Sequence, residues 1–149
     1  RPEPPRRGAE EGGIKAARKF LDGETFLVIN SDILVDIDLG KVIDYHRQKR
    51  SALTLVMRQT PDPEKFAPIE IDADGKIVRF PRAALPEPTG LTARLMFTGI
   101  QIMEPEIFSR IPPKKFCGTA KDIFPKMLED GLPVFGYRHT GYWSDIGNR

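Results

Sequence analysis

The chain has 149 residues, a formal charge of +2 and one cysteine. The length suits one domain that buries its own core. The near-balanced charge excludes the basic stripe of a nucleic-acid binder, and the lone Cys117 excludes a disulfide framework or a cysteine zinc cluster.

Residues 1–11, RPEPPRRGAEE, carry almost no apolar side chains and read as a tail or linker. The folded part is expected over residues 12–149. From Gly12 to Leu21, Ile14, Ala17, Phe20 and Leu21 recur at helical spacing, and Asp22-Gly23 ends the helix. Phe26 to Ile29 is a continuous apolar run, as in a strand covered on both faces. Asp38 is positioned to cap a helix running to about Lys49, with Leu39, Val42, Ile43 and His46 on one face. Ala52 to Met57 reads as another buried strand. Asp74-Gly75 lies between the short runs 68–72 and 76–80, which is a hairpin signal. Residues 81–92 read as a loop, and Leu95 to Met103 as a strand. Pro105 opens a short helix. Ala120 to Glu129 reads as helical, with Pro125 near its first turn and Gly131 at its end. Val134 to Tyr137 and Tyr142 to Ile146 close the chain as strand-like segments.

Strands alternating with helices, plus a hairpin, argue an α/β sandwich with a mixed sheet. No apolar run reaches the roughly 20 residues of a membrane span. Residues 1–13 have no apolar stretch of the signal-peptide kind. Cys117 reads as a small core residue in a reducing compartment. A soluble, cytoplasmic domain with no membrane or nucleic-acid partner is the resulting expectation.

In α/β sheets, ligands bind beyond the carboxyl ends of the strands. The first such end reads Asn30-Ser31-Asp32. A carboxylate there, among small polar neighbours such as Asn30, either faces the crevice or caps a turn. A second carboxylate, Asp145, lies within Gly141-Tyr142-Trp143-Ser144-Asp145-Ile146-Gly147. Trp143 can form a pocket wall there, or belong to the core. Asp36 and Asp38 form a D-x-D pattern, read as a metal motif or as a helix start. His46 falls on an apolar helix face and reads as a core histidine, and His139 as a surface or rim residue. Lys15 reads as a solvated lysine in the first helical turn, with phosphate neutralisation as its alternative role.

The segments GGIKAA, FLVINSD, the DIDL helix start, FTGIQIMEPEIF and GYWSDIG occur in this order. From about Gly12 to Gly147 the chain thereby resembles the sugar-1-phosphate nucleotidyltransferases, especially those of the mannose-1-phosphate guanylyltransferase type. The resemblance implies a Rossmann-like sandwich with a mixed, mostly parallel sheet and a β-hairpin. It implies an enzyme that transfers a nucleotidyl group from a nucleoside triphosphate to a sugar 1-phosphate, with release of pyrophosphate. By the same resemblance, Asp32 and Asp145 coordinate Mg2+, Gly12 and Gly13 end a glycine-rich loop near the nucleobase, and Thr98 and Gly99 line the sugar pocket.

The family's G-x-G-T-R loop and Pro-Lys-Pro segment do not occur in the chain. Gly8-Ala9-Glu10-Glu11 stands where Leu-Gly-Thr is usual, Ala67 where a glycine is common, and Phe80-Pro81-Arg82 near the expected Glu-Lys-Pro. The chain is accordingly expected to be an incomplete domain, truncated at both ends, lacking its triphosphate loop and inactive alone. Strand 26–29, central in the family fold, becomes an apolar edge in this expectation, open to a homo-oligomer. Two other functions are compatible with the residues. One is a glycosyltransferase using Asp36 and Asp38; the other is a non-catalytic module that binds a nucleotide sugar.

Overall fold

The computed structural model describes residues 9–21, 23–65, 69–112 and 118–147. Helix α1 (Ala9–Leu21) leads into strand β1 (Phe26–Ile29). Strand β2 (Ile33–Val35) and helix α2 (Leu39–Gln48) follow. Next come β3 (Leu53–Arg58), the hairpin strands β4 (Ile69–Ile71) and β5 (Ile77–Arg79), and the long β6 (Ala93–Met103). A 3-10 helix (Pro105–Arg110), a π turn (Thr119–Ile123) and helix α3 (Phe124–Glu129) precede β7 (Val134–Arg138) and β8 (Trp143–Asp145).

Six strands form one sheet, with path β5-β4-β6-β3-β7 and β1 paired to β6 off that path. β6 is long enough to carry two partners on one side: β4 at Ala93 to Leu95, and β1 at Ile100 to Met103. Its other side pairs with β3. Among the described residues only β3 and β7 run parallel; the ladders β1·β6, β3·β6, β4·β5, β4·β6 and β2·β8 are antiparallel. The expected mostly parallel sheet is therefore corrected to a mostly antiparallel one. A continuous apolar run reports burial on both faces but carries no record of strand direction.

Side chains alternate across β3, so it supplies two cores. Leu53, Leu55 and Met57 join Ile71, Ile77, Phe80 and Phe124 on one face. Val56 joins Val42, Ile100 and Ile102 beneath α2 on the other. Helix α2 forms as expected. The Asp38 carboxylate accepts from the Lys41 amide, and Val42 and His46 turn inward. His46 is a satisfied core residue, with Nε2 2.7 Å from Glu104 Oε1 and Nδ1 2.7 Å from Thr54 Oγ1.

The hairpin turn performs a second task. Gly75 O accepts from the Gly136 amide at 2.8 Å, and Lys76 bridges Phe135. The two ends of the strand path, β5 and β7, therefore meet and the sheet curls closed at that corner. Gly75 has φ +87°, and a Cβ there would collide with the Tyr45 hydroxyl. That hydroxyl donates to Gly136 O at 2.9 Å.

Several expectations shift. α1 starts at Ala9, inside the stretch read as tail, and anchors through Ile14 in the larger core. β1 is not covered on both faces: Phe26 is buried, but Ile29 is 45% exposed and β6 is its single partner among the described residues. The helix read over 120–129 opens as a π turn, with Gly118 O accepting from the Asp122 and Ile123 amides. Pro125 explains this locally, because its ring obstructs the preceding turn. Cys117, Ala67 and the Lys15 side chain lie outside what is described.

Candidate active site

The site is assembled where β1 ends. Asn30 continues the ladder, its amide donating to Gly99 O at 3.0 Å. Gly99 has φ +91°, and a Cβ added to it would stand 2.7 Å from Asn30 Nδ2. Glycine is thus required twice over, by its backbone and by the amide side chain lying on it.

Two residues later the chain enters β2, which pairs antiparallel with β8. The register sets Ile33 opposite Asp145 and Val35 opposite Trp143. The Ile146 amide donates to Asp32 O at 2.9 Å, which extends the ribbon by one step. Asp32 and Asp145, 113 positions apart, therefore sit at the same end of one two-stranded ribbon. Both are exposed. Asp145 Oδ1 accepts from the Gly147 amide at 2.8 Å. Among the described residues, the Asp32 carboxylate has no hydrogen-bonding partner. A Cβ on Gly147 would come within 2.5 Å of Asp32 Oδ2, so the glycine keeps that carboxylate clear.

Trp143 fixes the ribbon to the sheet. Its indole Nε1–H donates to Thr98 O at 2.9 Å. From β3, Arg58 Nη1–H donates to Trp143 O at 3.1 Å, and its guanidinium lies 5.3 Å from the centroid of the Trp143 ring. Sequence reasoning missed Arg58. The signal was available, since Arg58 is a polar residue directly beyond a buried strand, as Asp32 is.

Other expected site residues are positioned differently. Thr98 is 1% exposed and its hydroxyl donates to Val56 O at 2.7 Å, so its side chain does not line an open pocket. What it offers the site is the carbonyl that holds Trp143. Gly12 and Gly13 lie within helix α1 rather than in a loop, because Ile14 and its helical repeats draw that segment into the core. Asp38 is the α2 cap. Asp36 is exposed, and its amide joins the far end of the ribbon through Tyr142 O at 3.0 Å. His139 is 9% exposed, which corrects the surface half of its surface-or-rim reading; its Nε2–H donates to Tyr142 O at 3.2 Å.

Mg2+ takes hard oxygen ligands, keeps several waters and needs only one or two protein carboxylates. The donor set Asp32 plus Asp145 fits that chemistry. Among the described residues no cluster of three or more acidic, histidine or cysteine side chains forms, so a fuller all-protein cage is not offered.

The family model described as Nucleotidyl transferase matches residues 2–149. The chain belongs to this family. Similar nucleotidyl transferases include mannose-1-phosphate guanylyltransferase of Mycobacterium tuberculosis, 30% identical over 137 residues, covering 91% of this chain and 37% of that protein. Another is UTP--glucose-1-phosphate uridylyltransferase of Synechocystis, 31% identical over 140 residues, covering 91% of this chain and 36% of that protein. The chain thus spans little more than a third of the length of these curated relatives. Among solved structures, HddC from Yersinia pseudotuberculosis shares the fold with a TM-score of 0.69 at 24% identity, over 99% of this chain and 59% of that one. No helix among the described residues is long and apolar enough to cross a membrane.

Proposed function

We propose that this nucleotidyl transferase chain carries the metal-holding part of a sugar-1-phosphate nucleotidyltransferase. In the reaction, a phosphate oxygen of the sugar 1-phosphate attacks the α-phosphorus of a nucleoside triphosphate. The new P–O bond forms the nucleotide sugar, and pyrophosphate leaves. The observation that supports the reading best is the β2·β8 register, which brings Asp32 and Asp145 to one ribbon end. Membership of the family adds to it.

Asp32 and Asp145 are the residues that hold Mg2+ in this reading, and when bound the ion neutralises phosphate charge and orients both reactants. Trp143, held by Thr98 O and Arg58, sets the height of Asp145 on the ribbon. Gly99 and Gly147 keep side chains out of the space around Asn30 and Asp32. Positioning and charge neutralisation are what phosphoryl transfer asks of a protein.

The reading extends to a cytoplasmic setting and to self-association through the open edge of β1. The names of the similar proteins make GTP with mannose 1-phosphate the first substrate pair to try, giving GDP-mannose, and UTP with glucose 1-phosphate the second. The test is pyrophosphate release by the full-length protein carrying this sequence, with a panel of triphosphates and sugar 1-phosphates. Asp32→Asn and Asp145→Asn are each expected to lower the rate by at least about a hundredfold. An unchanged rate in Asp32→Asn, or no release with any pair, sinks the proposal. Binding of a nucleotide sugar without turnover is the result that points to a non-catalytic module.

A further inference from the structure

At the other end of the β2·β8 ribbon lies a cleft of about 510 Å³. Three strands contribute an arginine to its lining: Arg58 from the end of β3, Arg94 from the start of β6 and Arg138 from the end of β7. Gln59, His139 and Thr140 add to its polar wall. Among the described residues no carboxylate lines it.

Among the described residues, the side chains of Arg94 and Arg138 make no ion pair or hydrogen bond. The acid nearest in register to Arg94 is its cross-strand neighbour Glu70, and Glu70 Oε2 accepts from Arg79 Nε–H instead. Arg58 uses Nη1 on Trp143 O, and among the described residues its other guanidinium nitrogens donate to no protein acceptor. Three guanidinium groups facing one cleft repel each other unless an anion lies between them, and a guanidinium fork matches phosphate oxygens in pairs.

The cleft is separate from the Asp32 and Asp145 end. Gly141, which lines it, packs against Asp36 O, where an added Cβ would lie 2.8 Å away. Asp36 and Gly141 lie four residues along their strands from Asp32 and Asp145, about 13 Å of extended chain. We infer that this cleft is a second anion site, one that binds a phosphoryl group, either as free phosphate or on a sugar-sized body. The inference stands without the proposed activity.

Trp143 is the single tryptophan of the chain and carries the Arg58 guanidinium on its ring, so its fluorescence reports on the cleft. The experiment titrates the 149-residue chain, in EDTA, with sodium phosphate and separately with a hexose 6-phosphate, against sodium chloride of equal ionic strength. Heat release on the same samples gives a second readout. EDTA removes any cation that could hold phosphate on Asp32 and Asp145. A saturable response to phosphate beyond that of chloride is expected, about tenfold weaker in affinity in the exposed double variant Arg94→Gln/Arg138→Gln. Tighter binding of the hexose 6-phosphate identifies a sugar-borne phosphoryl group, and equal binding identifies free phosphate. A response no larger than that to chloride in both readouts, or an unchanged affinity in the double variant, overturns the inference.

Discussion

Gly99 carries two constraints on one Cα: a left-handed backbone and an asparagine side chain lying against it. Gly99→Ala is expected to destabilise the fold by about 1–3 kcal/mol, measured by denaturant unfolding, because strain and overlap both act at the site. The effect should be smaller in Gly99→Ala/Asn30→Ala, where the overlap is gone and the strain remains. Tyr45 is informative for another reason. Burial first, and the Asp72 charge second, raise its pKa above the ordinary 10.0. Above pH 10 the unfolded chain then loses this proton before the folded chain does. Stability is therefore intact below pH 10 and falls as pH rises past it. Tyr45→Phe should flatten that alkaline fall in a series of unfolding midpoints, while losing the hydrogen bond to Gly136 O.

Among the elements, β1 and β7 contrast. β7 has β3 on one side and the hairpin turn on the other, through Gly75 and Lys76. β1 has β6 on one side, and among the described residues nothing pairs with its other side. A half-exposed apolar strand with free backbone groups pairs readily with another chain. Concentration-dependent association of the chain is expected in sedimentation velocity, and Ile29→Lys should shift it towards monomer. Association that ignores this substitution counts against the β1 edge. Much of the element layout was legible beforehand, because its signals are local: the Asp38 cap, the Asp74-Gly75 turn, Pro105 at a helix start. Strand direction was not, since the partners that decide it lie dozens of residues away. The ribbon end at Asp32 and Asp145 was legible only as two separate strand ends. Nothing in the sequence links Arg58, Arg94 and Arg138, which lie 36 and 44 positions apart; β3, β6 and β7 set them around one cleft.

At the scale of the whole molecule, β3 couples the two cores. Leu55 and Val56 are neighbours in sequence, both fully buried, on opposite faces. Loss of either core strips one side of the same strand, so the faces should unfold together. Leu55→Ala is expected to cost about 2–5 kcal/mol. Trp143 fluorescence reports on the ribbon side and far-UV circular dichroism on the whole, and both should shift by the same amount. Separate shifts would mean that the ribbon and the sheet are independent units. The hairpin corner bears on assembly as well. By joining β5 to β7 it leaves the sheet, among the described residues, with one open rim at β1, so stacking through that rim is self-limiting: two copies that join rim to rim have used the edge from which a filament would grow. That rim ends three residues before Asp32, so a neighbour seated on it stands at the doorstep of the candidate metal site.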